Sequence, residues 1–415
     1  MRARAQQLEP ITADEALDRV LKNNVLTYEG SPFHAIMEIR TTEGDDPAFR
    51  SRIEVFWEEP QHYRLTLESR DFGQTLVVDG AKIMETDRGD FYPGWLHAFV
   101  TALLDPIPRL KDLRGRNDMV PLEPQRLQPC IHRDDRPGGI TDQMTWASAC
   151  FSGSAPTLEY VLDFTYYMNF SDFHNFGRKP KQIARIYMSY ALDNLKLRGK
   201  LTMIEDWAPR PDMLAVSKAT PPAQRILTTF VSTATEESLL ENAPKDVVWP
   251  TVREGKTDGY MIVHAMTDRT GQVRETSNHN SDNAELEGVG REVALKYKFK
   301  PLIVDGVAQQ MEMPLVLHFA TKPGDPIPEL DDATTRKMIT GCSLPHEIKD
   351  PASAGHHIVI TFKVDDDGHL DTLGSSDRKI LVLSLFDQFH GCHFAQYRQN
   401  GQPTPYHANL SVMAH

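Results

Sequence analysis

The residue types best able to do chemistry fall into a few short clusters, and each can be weighed by its spacing. His356-His357 and His390-Gly391-Cys392-His393 offer imidazole and thiol groups of the kind that hold zinc. Adjacent histidines on a strand face opposite ways, so ligands would have to be gathered from both clusters, and no metal is expected. Asp365-Asp366-Asp367-Gly368 has the acids of a calcium loop, but Lys363 stands at the first ligand position and Gly374 at the twelfth, so a hairpin turn is expected. Cys150-Phe151-Ser152-Gly153-Ser154 lacks the preceding glycine of a nucleophile elbow. His346-Glu347 lacks the second histidine of a zinc-protease helix, and no phosphate-binding GxxxxGK[ST] loop occurs. No acid, base and nucleophile come together. The expectation is therefore a protein without catalytic residues, cofactor or metal.

The four cysteines form two local pairs, Cys130 with Cys150 and Cys342 with Cys392. This suits two disulfides in an oxidising compartment, with free buried thiols as the alternative. A net charge of −13 argues against a nucleic-acid partner and against an anionic membrane surface. No window of 18 apolar residues occurs, so no transmembrane segment is expected. Ala3-Arg4-Ala5 before Gln6 has the small-x-small form of a cleavage site, and a periplasmic location follows if a signal peptide has been removed.

The elements that would position any site begin with a capped helix carrying Ala16, Leu17, Val20 and Leu21. The period then changes to two: Phe33, Ala35, Met37, Ile39; Ile53, Val55, Trp57; Tyr63, Leu65, Leu67; and, after turns, Leu158–Phe170, Gln182–Leu192 and Leu195–Trp207. Residues 10–208 therefore read as one large antiparallel sheet with two or three helices, and the Pro- and acid-rich interval 209–248 as linker.

Residues 249–320 read as strand, hairpin, capped helix and strand. Asp258-Gly259 opens the first strand and Arg269-Thr270-Gly271 turns it. Leu286, Val289, Val293, Ala294 and Tyr297 make one helical stripe, and Met311, Met313, Leu315 and Leu317 alternate along the last strand. Residues 321–415 repeat the pattern: Phe299 to Phe394 and Gly306 to Gly401 share an offset of 95, with two residues lost between hairpin and helix. The overall class is α+β.

Trp249-Pro250, Gly259, Gly271, Tyr297-Lys298-Phe299-Lys300-Pro301 and Gly306 together resemble the TonB C-terminal domain, over about 70 residues. The second copy, 321–415, departs from that pattern at Cys392 and Gln396. The order of strands in 10–208, with Trp57-Glu58-Glu59-Pro60, Asp79-Gly80 and Lys179-Pro180-Lys181, is similar to the LolA and LolB half-barrel lipoprotein carriers. The first resemblance implies a periplasmic binding protein that docks an extended peptide, in that family from an outer-membrane transporter, by strand addition along Met311, Met313, Leu315 and Leu317. The second implies an alternative, a lipid or lipoprotein carrier whose concave face, with Phe33, Trp57, Tyr63, Leu65 and Phe164, holds an acyl chain. Simple packing beneath covering helices is the competing role for those aromatics.

Overall fold

A computed structural model describes residues 13–107, 147–151, 157–163, 166–177, 181–192, 195–342, 355–376 and 392–414, with short strand pieces at 121–123, 126–127, 130–133 and 347–348. Phe164 and the helix expected over 378–390 lie outside the described residues. Among the described residues no helix is long and apolar enough to cross a membrane.

Helix α1 (Ala13–Asn24) leads into β1 (Phe33–Thr41), β2 (Ser51–Glu59), β3 (His62–Ser69), β4 (Gly73–Asp79), β5 (Lys82–Arg88) and α2 (Gly94–Leu104). Then follow β6 (Cys130–Arg133), β7 (Ala147–Phe151), β8 (Leu158–Asp163), β9 (Tyr166–Phe176), β10 (Lys181–Leu192) and β11 (Leu195–Asp206). They form one open 11-stranded antiparallel sheet, ordered β5-β4-β3-β2-β1-β11-β10-β9-β8-β7-β6. The two-residue alternation puts Phe33, Ala35, Met37 and Ile39 of β1 on the buried face. The apolar stripes of α1 (Ala16, Leu17, Val20, Leu21) and α2 (Leu96, Phe99, Ala102, Leu103) join the same core. Gly199 makes the α2 contact possible, since a Cβ there would lie 2.8 Å from the Phe99 ring and 2.9 Å from Met37 Sδ.

The interval read as linker is clamped to this sheet. Glu85 is buried and accepts from Arg225 Nε at 3.0 Å and from the Ile226 N–H at 2.7 Å. The Val216 N–H donates to Asp79, and the Thr220 N–H donates to the Ile83 carbonyl. The compact units are correspondingly 1–249 with 258–320, and 250–257 with 321–415.

The remainder of the first unit holds β12 (Thr228–Phe230), α3 (Thr233–Leu239), β13 (Leu240–Asn242), β14 (Asp258–Thr267), β15 (Val273–Ser281), α4 (Glu287–Ala294), β16 (Lys298–Phe299), β17 (Leu302–Val304) and β18 (Val307–Ala320). Its sheet runs β12-β18-β14-β15. The second unit holds β19 (Glu329–Leu330), α5 (Asp332–Met338), β20 (Ile339–Thr340), β21 (Glu347–Ile348), β22 (His357–Val364), β23 (Leu370–Ser375), β24 (His393–Phe394), β25 (Arg398–Gln399), β26 (Gln402–Pro403) and β27 (Tyr406–Ala414). Its sheet runs β19-β27-β22-β23.

The internal repeat extends to single hydrogen bonds. Asp268 Oδ1 accepts from the N–H groups of Thr270 and Gln272; Asp365 Oδ1 accepts from those of Asp367 and His369. The aspartate-rich stretch is thus a turn. Gly271 (φ 83°) and Gly368 (φ 88°) follow, where a Cβ would stand 2.0 and 2.6 Å from the carbonyl oxygens of Phe299 and Phe394. Each copy also opens with a short strand parallel to its last one, then a helix capped by Ser232 or Asp331. The repeat is therefore longer than the ββαβ pattern seen in the sequence.

Candidate functional site

Two surfaces expected to bind can be located, and a third feature, a buried polar relay, was not foreseen. On the buried face of the large sheet, Trp57 stacks on Phe33 at 6.2 Å and on Tyr63 at 5.2 Å between ring centroids. Phe33, Trp57 and Leu65 are buried in the core, and Tyr63 is half-buried, with its phenol pushed up by burial. In this structure α1 and α2 cover the same apolar face.

Besides their apolar packing, the ends of those helices are fixed by polar contacts from other elements. Lys181 Nζ, at the start of β10, donates to the carbonyls of Lys22, Val25 and Tyr28 at 2.9, 2.9 and 2.6 Å, closing the C-terminal end of α1. Burial lowers the pKa of this ammonium. Asn24 donates to the Gln182 carbonyl and accepts from the Leu158 N–H. Thr27 donates to the Leu104 carbonyl at the end of α2.

Helix α2 begins at Pro93, which supplies no side-chain cap. The cap comes from 180 residues away: Glu275 on β15 accepts from the Gly94 and Trp95 N–H groups, both at 3.0 Å. Gln310 on β18 accepts from the Tyr92 N–H and donates to its carbonyl. Beside Glu275, His264 Nε2 lies 2.8 Å from Glu312 Oε1 while its Nδ1 lies 3.3 Å from Ser277 Oγ. Burial pushes Glu275 up to about 7 and pulls His97 down. A hydroxyl, an imidazole and a carboxylate in a row have the types of a hydrolytic relay. Ser277 and His264 are buried, however, so the row sits inside the packing and not in a cleft.

The sequence offered one usable signal for this cluster: His264 and Glu312 are charged or titratable residues on largely apolar strands, whereas Glu275 lies on a polar strand and carries no such mark. His264 and Ser277 are cross-strand partners, a relation that only the register of β14 and β15 reveals. Strand β14 is buried on both faces after Tyr260, and this is why alternation did not set His264 apart. One face takes α4, where Gly290 admits Met261: a Cβ on Gly290 would lie 1.9 Å from Met261 Sδ. The other takes α2, where Gly94 meets Met266 in the same way.

The expected edge strand is β18. Met311, Met313, Leu315 and Leu317 are 0–3% exposed, so their side chains belong to the core and cannot select a docked peptide. This corrects the expectation: on a strand with a buried face, the alternate residues Val316 and His318 carry the solvent side. One edge of β18 pairs with β14 from Glu312 to Ala320. Strand β17 pairs with β18 over Val307–Gln309. The other edge pairs with β12 over Gln310–Glu312, and no described strand continues along it past Glu312. In the second copy the equivalent edge is closed. Strand β19 pairs at His407–Ala408 and β21 at Met413–Ala414, while between them Asp332 accepts from the Ser411 N–H and Arg336 donates to its carbonyl.

Cys342 and Cys392 form a disulfide; Cys150 is also disulfide-bonded, and Cys130 stands opposite it in backbone register. Among the described residues no three His, Cys, Asp or Glu side chains are grouped to hold a metal ion.

No family model matches the chain, and no curated protein matches it. Among solved structures, a LolA-superfamily protein from Nitrosomonas europaea is similar over 50% of this chain and 99% of its own, at 12% identity and a TM-score of 0.32. A putative outer membrane lipoprotein-sorting protein domain from Vibrio parahaemolyticus is similar over 47% of this chain and 91% of its own, at 10% identity and a TM-score of 0.26. Likeness this low says nothing of what the present chain binds. The TonB C-terminal resemblance has no counterpart in these comparisons.

Proposed function

We propose that this is a non-catalytic binding protein of the cell envelope that carries an acyl chain, free or on a lipoprotein, between its large sheet and helices α1 and α2. The observation that carries the reading is the manner in which the helices are fastened. They lie on an apolar, aromatic-lined face and are tied at their ends by a few side chains, Lys181, Asn24, Glu275 and Gln310, that can let go without unfolding a strand. A hydrophobic ligand entering there would replace helix contacts with its own at little net cost in apolar burial. The disulfides fit an oxidising compartment such as the periplasm. Native mass spectrometry of the full chain, with and without delipidation and reloading, tests it. Bound acyl species that return on reloading support the carrier; a protein that takes up none refutes it.

A second reading rests on the edge of β18. No described strand covers its stretch after Glu312, whereas the corresponding edge of the second copy is sealed; this supports addition of an extended peptide from an envelope partner to the first copy alone. A proline at Val316 would remove a donor from that edge, so it should abolish peptide binding and leave the β14 pairing intact.

A further inference from the structure

The outer face of the large sheet carries a charge pattern that internal pairing leaves incomplete. One row across the strands runs Ser171, Ile186, Lys200, Glu38, Arg52, Glu68, each residue standing opposite the next. From Lys200 onward its charges alternate in sign, as cross-strand pairs prefer. The neighbouring row runs Asn169, Met188, Arg198, Arg40, and here two arginines stand directly opposite each other. Like charges so placed are destabilising. Arg50, next along the chain from β2, is taken by Asp45 at 2.7 Å. Arg40 has a 3.4 Å contact with Glu38, both side chains being partly exposed, and a longer-range attraction to Asp45, which Arg50 already holds.

Over this pair lies an open groove of about 680 Å³. Its walls bring Arg40, Arg198 and Lys200 together with Glu38, and the hydroxyls of Ser171 and Thr202. Three cations against one carboxylate is a local excess of positive charge on a chain of net charge −13. The planar guanidinium fork suits the oxygens of a phosphoryl group, the Ser171 hydroxyl can donate to a remaining lone pair while that of Thr202 is already given to the Ile36 carbonyl, and Ile186 and Met188 give the groove an apolar floor.

We propose that this groove binds a phosphoryl anion seated between the guanidinium groups of Arg40 and Arg198, supplying the negative charge that the row lacks. The chemistry is shared by a phospholipid headgroup and a soluble phosphate ester. It involves no residue of the buried face, so its success or failure is separate from that of the carrier reading.

Isothermal titration calorimetry on the full chain tests it with three probes: inorganic phosphate, glycerol phosphate, and a short-chain phosphatidylglycerol below its micelle concentration. Each is run against chloride at matched ionic strength. Saturable binding is expected for the wild type. Arg198→Gln should weaken it roughly tenfold or more, the loss of a charge-assisted hydrogen-bonded pair. Arg198→Glu places a carboxylate opposite Arg40, so it should abolish binding and raise Tm, with unchanged circular dichroism. Binding of all three probes identifies a soluble ester as sufficient, and binding of the lipid alone identifies a headgroup; either supports the seat. Absence of saturable binding by every probe, or binding untouched by both variants, overturns it.

Discussion

Glu275 should make the docking of α2 depend on pH in a direction opposite to that of an ordinary salt bridge. Its carboxylate accepts two N–H groups at the helix start, interactions that favour the charged form, yet burial outweighs them and Glu312 adds repulsion. His264 is the facing group that opposes the rise. The shift from an ordinary 4.5 to about 7 corresponds to about 3 kcal/mol between protonation states. Because the folded value is raised, the stabilisation belongs to the protonated form. It is fully present below about pH 4.5 and is lost as pH climbs through about 7. Glu275→Gln keeps one acceptor and removes the titration, leaving one N–H without its partner at about 1 to 2 kcal/mol. The variant should therefore be less stable than wild type at pH 5 and more stable at pH 8, the crossover falling between. Urea melts read by Trp95 fluorescence, in the first turn of α2, report this directly. Taking the difference between the two proteins cancels other groups in the range, notably Asp87 at about 6 and Glu236 at about 7. A difference that stays flat from pH 5 to 8 would refute the reasoning.

Further outcomes follow from the same geometry. Lys181→Met removes three bonds to the end of α1 and should cost about 2 to 3 kcal/mol, measured by chemical denaturation; a change within about 0.5 kcal/mol would deny the clamp its role. The Cys342–Cys392 bridge closes a separation of 50 residues, so Cys342→Ser should lower the stability of the second unit by about 4 kcal/mol under oxidising conditions and leave it unchanged in reductant. Gly271→Ala should cost more than about 3 kcal/mol because its Cβ meets the Phe299 carbonyl, whereas Gly306→Ala, with φ 77° but open space around it, should cost about 1 kcal/mol; equal penalties would show that φ alone matters there.

The parts of the fold readable in the sequence were those where one face is buried and one is wet. Strand β1 alternates along Phe33, Ala35, Met37 and Ile39 as its pattern requires. The Asp268 and Asp365 turns also carry their own chemistry and were visible as Gly271 and Gly368. Two further turns pair Asp305 with Gly306 and Asn400 with Gly401, all at positive φ, so their dihedrals demand these residue types. The offset of 97 between the first turns and 95 between the second places the two lost residues between hairpin and the later strands, as the sequence indicates.

What escaped was anything set by distant pairing. Residues 209–248 have no period because Glu85, far away in the chain, holds them. The helices α3 and α5 were missed because each has only seven positions after its cap, Ser232 or Asp331, too few for an apolar stripe. The closed edge of β27 depends on Asp332 and Arg336 reaching Ser411, and neither residue announces that contact locally.

The carrier reading meets its most direct test in quenching of tryptophan by a brominated fatty acid, since bromine quenches only at contact. Titration of the full chain should give a saturable loss of fluorescence, shared by Trp57 and Trp95 and reduced in Trp57→Phe, with unbrominated palmitate competing for the same site. Quenching that never saturates, or that is the same with and without Trp57, would place the acyl chain elsewhere and contradict the account.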